Sequence, residues 1–130
     1  MAQPFKAGQT WRMQGRPQDE DARIHVLAVI ENGAVGRIYS IALTGVRIRN
    51  PGFADGVQSF LPHAPVTHDV LAADAIELVD HDGPTVDHPD FSDAYSEFRA
   101  LYDKGEAGVF TISLAEILDL IEQAASDHDR

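Results

Sequence analysis

The segment 23–31 (RIHVLAVIE) constrains the fold of this chain more than any other part of it. Its alternation predicts a β-strand. Because both faces of this strand are apolar, we expect it to lie near the centre of a sheet and to be covered on both sides. Asn32-Gly33 then predicts a hairpin turn, since both residue types tolerate positive φ. One predicted face carries Ile24, Val26, Ala28 and Ile30, and the other carries Leu27 and Val29.

The returning strand, from about Val35 to Arg49, changes its apolar parity at Gly45. A regular strand would turn the later apolar residues to the opposite face, so we expect a β-bulge or a sharp bend at this glycine. A bulge would direct Arg47 and Arg49 to solvent. The alternative is two short strands joined by a tight turn. The apolar positions are Tyr39, Ile41 and Leu43 before the change, and Val46 and Ile48 after it.

Weaker patterns extend the prediction over the rest of the chain. Trp11 and Met13 would share one face of a first strand. The segment 51–66 contains three prolines and two glycines and predicts a long loop. Thr67 is a suitable N-cap for the helix that follows. The predicted elements are a sheet over about 9–49, a long loop over 51–66, helices over about 68–79, 91–103 and 114–125, and a short strand over 108–112.

Two helices in the C-terminal part have clear signals at their ends. Gly105 suits the C-terminal cap of the first helix. Ser113 and Glu116 predict a capping box for the second, in which each side chain bonds the main-chain N–H of the other residue. The first helix also carries aromatic residues at spacings of three and four, and we expect this stripe to face the core. The stripe consists of Phe91, Tyr95, Phe98 and Tyr102.

The order of elements predicts one α+β domain over residues 1–130. We expect a strongly bent antiparallel sheet of four or five strands, with about three helices packed on one face and the last helix at the C-terminus. The bend could go as far as an SH3-like half-barrel. The chain has no cysteine, no signal-like apolar N-terminus and no apolar run of roughly 20 residues. These features predict a cytoplasmic protein without a membrane span.

The charge of the chain is divided unevenly. Residues 1–50 carry seven Lys/Arg against four Asp/Glu, a net charge of +3. Residues 51–130 carry three Lys/Arg against seventeen Asp/Glu, a net charge of −14. An acidic surface repels nucleic acid and anionic lipid and attracts basic proteins. The charge therefore predicts a basic protein partner and argues against nucleic acid or membrane as a target.

Acidic residues on the predicted helices form the first candidate site. We expect a non-enzymatic binding domain in which these carboxylates accept Lys and Arg side chains of the partner. Small acidic inhibitors of basic enzymes, such as bacterial immunity proteins and antitoxins, have this size and charge. A solubilising surface is the alternative. The candidate acceptors are Asp69, Asp74, Glu77, Asp93, Glu97, Glu116, Asp119 and Glu122.

Histidines and aspartates in and around the linker form the second candidate site. Imidazole and carboxylate groups together can bind a divalent cation, so a metal-binding or small-ligand module, or a hydrolase, is the alternative function. The spacing matches no compact metal motif such as HExxH, and the Asp-Gly and His-Pro pairs are also ordinary turn sequences. The metal candidates are His63, His68, His81 and His88.

No catalytic or cofactor motif accompanies these residues. The chain lacks GxSxG, and the glycine segments 32–36 and 105–108 lack the lysine of a phosphate-binding loop. Arginines on the predicted strands could form a patch for an anion or RNA, but clustered lysines and regularly spaced exposed aromatics are absent. We therefore expect a protein that needs no cofactor and is not an enzyme. These arginines are Arg12, Arg37, Arg47 and Arg49.

Several segments resemble a widespread group of small, uncharacterised bacterial proteins. The resemblance covers nearly the whole chain, and its segments are ones that form the fold. The group has no established activity, so the resemblance implies an independent single-domain bacterial protein and transfers no site residue. The segments are Gly8-Gln-Thr-Trp11, Arg16-Pro17, Gly36-Arg-Ile-Tyr-Ser-Ile41, Gly45-Val-Arg-Ile48 and Lys104-Gly-Glu-Ala-Gly-Val-Phe-Thr-Ile-Ser113.

Overall fold

The structure is a computed structural model that describes residues 5–32 and 36–128. It is an α+β fold with one antiparallel sheet in the order β4-β3-β2-β1-β5 and a C-terminal helix, as the sequence predicted. The strands are β1 Thr10–Met13, β2 Arg23–Asn32, β3 Gly36–Arg49, β4 Val57–Thr67 and β5 Ala75–Asp80. The helices are α1 His68–Asp74, α2 Pro89–Asp103 and α3 Leu114–His128, with a 3-10 turn at Pro17–Asp19.

The sheet is open. β4 and β5 lie at its two edges, and no pairing joins them within the described ranges, so the strands do not close into a barrel of the SH3 kind. β2 and β3 pair antiparallel as far as Asn32 and Gly36. The predicted Asn32-Gly33 turn itself lies outside the described residues, because residues 33–35 are not described.

β2 lies at the centre of the sheet and is covered on both sides, as predicted. The assignment of its faces is wrong beyond Leu27, because a register shift leaves Leu27 as an extra residue opposite β3. After this bulge Val29 packs against the main core, and Ile30 packs with Phe98 of α2. A bulge reverses the alternation of every residue that follows it.

The helices cover both faces of the sheet rather than one. Leu71 of α1 and Leu118 of α3 belong to the main core on one side of β3. On the other side, Phe91 of α2 packs with Leu27 and Ala42. The predicted single layer of helices is therefore wrong. The reason is the apolar character of both faces of β2 and β3, since each face needs its own cover.

The expected bulge at Gly45 is present. Gly45 has a φ of 71°, and four residue steps of β3, from Thr44 to Ile48, lie opposite two steps of β4. As a result Ile48 stays in the same core as the residues before the bulge. Arg47 and Arg49 are exposed, as predicted.

The predicted long loop over 51–66 is wrong from Val57 onward, where the chain forms edge strand β4. Pro62 and Pro65 suggested a loop because proline cannot donate a main-chain hydrogen bond. An edge strand tolerates this loss. The predicted short strand over 108–112 is reduced to one parallel bridge, in which Phe110 pairs with Val66 beside β4.

The predicted helix over 68–79 is also too long. α1 starts after Thr67 as expected, although the Thr67 side chain forms no capping hydrogen bond. The helix ends at Asp74, and β5 (AIELVD) follows at once and pairs with β1. Pairing with the free edge of β1 therefore outweighs the local helical pattern, as tertiary context often does.

The ends of α2 and α3 match their sequence signals. The Gly105 N–H donates to the Tyr102 carbonyl, and the Glu106 N–H donates to the Leu101 carbonyl, which is a Schellman ending. The Ser113 Oγ accepts from the Glu116 N–H at 3.2 Å, while the Ser113 N–H donates to Glu116 Oε1 at 3.4 Å. The aromatic stripe of α2 faces the sheet, as predicted, with Phe91 and Phe98 buried and Tyr95 and Tyr102 half-buried.

Candidate functional site

The predicted acidic acceptors do not form one surface. Three of them are exposed and form no ion pair within the described part of the chain. Asp69 lies in the first turn of α1, and Asp93 and Glu97 lie on α2. These three carboxylates remain available to a basic partner, but they are divided between two helices that cover opposite faces of the sheet.

Asp74 is not a surface acceptor. Its side chain is buried, and Asp74 Oδ2 accepts a hydrogen bond from the Leu114 N–H at 2.8 Å. The carboxylate thus lies at the start of α3, where it satisfies a helix N–H that has no partner within the helix. Its role is to hold α1 against α3, which the pattern of acids along the chain did not reveal.

The α3 acids serve the fold. Glu116 belongs to the capping box, and Asp119 and Glu122 bind the guanidinium of Arg16 at 3.1 and 2.9 Å. Arg16 also binds Asp19 at 2.6 Å, and both of these side chains are buried. Asp119 and Glu122 are thus engaged by one cation of the N-terminal half, which also pairs with Asp19.

Arg16 stays charged in this environment. Burial by itself lowers the pKa of Arg16, but the hydrogen bonds that its guanidinium donates to Asp19 and Asp119 and the nearby charges of Asp19 and Glu122 raise it above its ordinary value. A buried guanidinium with several carboxylate partners is stable only as a complete network, because each group loses its hydration.

Glu77 lies on β5, where it pairs with Arg12 at 2.8 Å, and both side chains are largely exposed. Its neighbours Ile76 and Val79 are 48% and 51% exposed. Each is an extra residue at a register shift between β1 and β5. Such bulges redirect side chains, and here they turn two aliphatic groups away from the core. The β5 patch, as we name it, consists of Ile76, Glu77, Val79 and Asp80.

The β5 patch was missed in the sequence because Ile76 and Val79 fitted the apolar face of a helix. The signal that favours a strand is the pair of β-branched residues in AIELVD. The bulges that expose them depend on pairing with β1, more than 60 residues earlier in the chain, as the Arg12–Glu77 separation of 65 shows. No local pattern reports such a contact.

The four metal candidates have separate surroundings. His63 packs against Phe98, and its buried Nε2 has no hydrogen-bond partner among the described residues. The Nδ1 atom of His68 lies 3.4 Å from the Tyr39 hydroxyl oxygen. His81 is exposed. The Nδ1 atom of His88 accepts a hydrogen bond from the Asp90 N–H at the start of α2. Among residues 5–32 and 36–128, no group of three or more His, Cys, Asp or Glu side chains is arranged to hold a metal ion.

A fifth histidine, His25, connects three strands. Its Nδ1 lies 3.1 Å from Thr10 Oγ1, and its Nε2 lies 2.8 Å from Thr44 Oγ1. Burial, and then the charge of Arg23, lower the pKa of His25, which favours the neutral ring. Thr44 also lines a cavity of about 400 Å³. This row of polar groups was not predictable from local patterns, because its members lie on β1, β2 and β3.

Arg47 and Arg49 line a second concavity, of about 460 Å³, on the outer side of β3. Neither forms an ion pair within the described residues. By contrast, Arg12 binds Glu77 and Arg37 binds Glu31. The structure thus divides the four arginines of the predicted strands into two that neutralise local acids and two that face solvent without a carboxylate partner.

Comparisons with known proteins give no relative from which a function could be transferred. Within the described chain, none of the helices has both the length and the apolar character needed to cross a membrane. No protein-family model matches the sequence, no curated protein is significantly similar to it, and no solved structure matches the fold.

Proposed function

We propose that this chain is a non-enzymatic domain that binds a basic protein, and that the β5 patch is the centre of the contact. The observation that carries the proposal is the exposure of Ile76 and Val79 at two bulges of an edge strand, directly beside the carboxylates of Glu77 and Asp80. Protein interfaces commonly combine a small apolar centre with a polar rim.

The apolar centre supplies affinity. Burial of an aliphatic side chain contributes roughly 1.5–3 kcal/mol when the side chain starts fully exposed. Ile76 and Val79 are each about half exposed, so together they would contribute on the order of 2 kcal/mol. This gain is modest, and we expect other parts of the surface to enlarge the contact.

The acidic rim supplies selectivity. Asp80 is exposed and forms no ion pair in the described part of the chain, Glu77 is exposed and paired with Arg12, and the chain carries a net charge of −11. A surface of this sign accelerates encounters with basic proteins and slows encounters with acidic ones. The specific form of the proposal is an inhibitor of the immunity or antitoxin kind, which would cover a basic surface of a toxin or enzyme in a bacterial cytoplasm.

Affinity capture from an extract of the native host tests this proposal. The comparison is between the wild-type chain, the double variant Ile76→Ser/Val79→Ser and the control Leu101→Ser/Leu120→Ser, whose leucines are 45% and 51% exposed on α2 and α3. We expect a basic protein to be retained by the wild type and the control, and to be lost from the β5 variant. Equal retention by all three chains would place the contact elsewhere.

The charge contribution needs its own comparison. Glu77→Gln/Asp80→Asn should weaken capture and reduce its dependence on salt, because Coulombic attraction between exposed charges is screened. Asp93→Asn/Glu97→Gln removes the same charge from the outer side of α2. If this second variant loses the partner and the first retains it, the contact lies on the helix. If no variant alters capture, charge is not part of the recognition.

A further inference from the structure

Two arginines of β3, Arg47 and Arg49, have guanidinium N–H donors that form no ion pair within the described residues. Arg47 and Arg49 lie two residues apart on β3 and are both exposed. The chain has 21 Asp and Glu against 10 Lys and Arg, so a surface arginine has many possible partners. Within the described residues, however, neither guanidinium is paired. They line the concavity of about 460 Å³ together with Gln18, Gly56, Val57 and Glu122.

The main chain of both residues is held firmly. The Arg47 N–H donates to Asp19 Oδ1 at 2.7 Å, and the Arg47 carbonyl accepts from Arg16 Nη2 at 3.0 Å. The Arg49 N–H donates to Glu122 Oε2 at 2.8 Å. The buried network therefore fixes the positions from which both guanidinium groups project, and such preorganisation lowers the entropic cost of binding.

The nearby carboxylates are already occupied. Glu122 lines the concavity, but its Oε1 lies 2.9 Å from Arg16 Nη1, and its Oε2 accepts the Arg49 N–H. Asp19 is fully buried between Arg16 and the Arg47 N–H. These acids pair with Arg16 or bind main-chain groups, which leaves the side-chain donors of Arg47 and Arg49 without an ion-pair partner among the described residues and open to a group from outside the chain.

We propose that this concavity binds a small anionic ligand whose phosphate or carboxylate group lies between Arg47 and Arg49. The planar guanidinium presents a fork of N–H donors that matches either oxyanion. The volume lies within the range of pockets for small molecules and exceeds what a single inorganic ion needs. This inference does not depend on the proposed protein partner, which uses β5 at the opposite edge from β4.

Titrations of the full chain with sodium pyrophosphate and, separately, with sodium succinate test the inference at constant ionic strength. Amide chemical shifts in two-dimensional NMR spectra report the site. We expect saturable shifts around residues 47–49 and 56–57 with at least one probe, and the probe that binds identifies phosphate or carboxylate as the preferred group. Arg47→Gln and Arg49→Gln should each raise the Kd about tenfold or more, since each removes charge-assisted hydrogen bonds.

Arg37→Gln is the matched control. Arg37 is exposed on the same strand and pairs with Glu31, so this variant changes the net charge equally but leaves the concavity intact. Its Kd should stay within about twofold of the wild type. An equal loss in Arg37→Gln would mean attraction by net charge alone and would overturn the site. The absence of saturable shifts up to about 50 mM of both probes would also overturn it.

Folding of the variants is checked in the same spectra, by the dispersion of the amide signals. Arg47→Lys and Arg49→Lys keep the positive charge and lose the planar fork, so we expect each to bind less tightly than the wild type and more tightly than its Gln counterpart. If the Lys and Gln variants bind as tightly as the wild type, the ligand group does not lie between these arginines.

Discussion

The carboxylate of Asp74 accepts a hydrogen bond from the Leu114 N–H at 2.8 Å, across 40 residues of sequence. This contact joins the end of α1 to the start of α3. A carboxylate at a helix N-terminus satisfies a free N–H and interacts favourably with the helix dipole. An acid that a binding hypothesis would place on the surface is therefore part of the internal structure.

Replacement of Asp74 by alanine should destabilise the fold by about 2–3 kcal/mol, because it leaves the buried Leu114 N–H without an acceptor. Asp74→Asn keeps an acceptor oxygen and should cost less, about 1 kcal/mol. Urea denaturation gives both free energies. Asp93→Ala, at an exposed position of α2, is the control and should change stability by less than about 0.5 kcal/mol. Equal losses in Asp74→Ala and Asp93→Ala would contradict the proposed role.

Removal of the Arg16 side chain should have a larger effect. Arg16→Met leaves Asp19 buried without its cation, a change that typically costs 3–5 kcal/mol, so we expect about 3 kcal/mol or more. The double variant Arg16→Met/Asp19→Asn should recover part of this loss, because the fully buried carboxylate is then neutral, while Asp119 and Glu122, which also lose their cation, are partly exposed to solvent.

The exposed pair of Arg12 and Glu77 provides the comparison for Arg16. Arg12→Met should cost less than about 1 kcal/mol in the same urea experiment. If Arg16→Met and Arg12→Met proved equally mild, the Arg16 network would contribute no more than an ordinary surface ion pair. If the double variant were as unstable as Arg16→Met, the unpaired Asp19 charge would not be the cause.

Gly45 and Gly36 form a matched pair for testing the bulge. Both have positive φ, 71° and 85°, but a Cβ at Gly45 would lie 2.5 Å from the Asp21 carbonyl oxygen, whereas a Cβ at Gly36 meets no described atom within 4 Å. Gly36→Ala should therefore cost only the backbone penalty, about 1 kcal/mol. Gly45→Ala adds a clash with main-chain atoms and should cost at least about 2 kcal/mol. Thermal unfolding monitored by circular dichroism ranks the two, and the reverse order would exclude the close approach.

His63 should make stability depend on pH. Burial lowers the pKa of His63 from 6.5 to about 4. Between these values the unfolded chain binds a proton at this site and the folded chain does not, so stability is complete above about pH 6.5 and falls as the pH is lowered towards 4. Since the ring is only partly buried, we expect a loss of about 1–2 kcal/mol.

His63→Phe isolates this contribution, because the ring packs against Phe98 and its buried Nε2 has no hydrogen-bond partner in the part of the chain that the structure describes. The variant should lose less stability than the wild type between pH 6.5 and pH 4.5 in urea denaturation. His81→Gln, at an exposed position, should follow the wild-type profile. An unchanged profile in His63→Phe would show that other groups cause the pH dependence.

The parts of the fold that followed from the sequence have local causes. The change of parity at Gly45 predicts a bulge because a core face must stay continuous, and the capping box of Ser113 and Glu116 depends on residues three positions apart. The aromatic stripe of α2 depends on the period of a helix. Each signal is complete within a few residues, so pairing elsewhere in the sheet does not alter it.

The parts of the fold that could not be predicted from the sequence depend on contacts between residues that are distant in the chain. β4 contains two prolines and becomes a strand only because it lies at an edge. β5 has the apolar spacing of a helix and becomes a strand because β1 offers a free edge. The bulge at Leu27 arises from its register with β3, and it redirects Val29 and Ile30. Composition and periodicity do not specify these pairings.

The candidate surface was only partly predictable for the same reason. Sequence shows that Asp119 and Glu122 lie on one side of a helix, but it does not show that Arg16 lies beside them. The outward direction of Arg47 and Arg49 could be predicted from the sequence, but only because the apolar parity of the strand changes at Gly45. Which charges remain unpaired is decided by tertiary contacts, and the unpaired arginines carry the proposal of an anion site.

The position of β1 between β2 and β5 has a consequence for the order of folding. Arg12 meets Glu77 across 65 residues, so the N-terminal strand cannot obtain its second neighbour until most of the chain has been synthesised. A contact of such long sequence separation carries a large loop-closure cost and slows folding. During synthesis, the main-chain N–H and C=O groups on the β5 side of β1 therefore have no strand partner until β5 has left the ribosome.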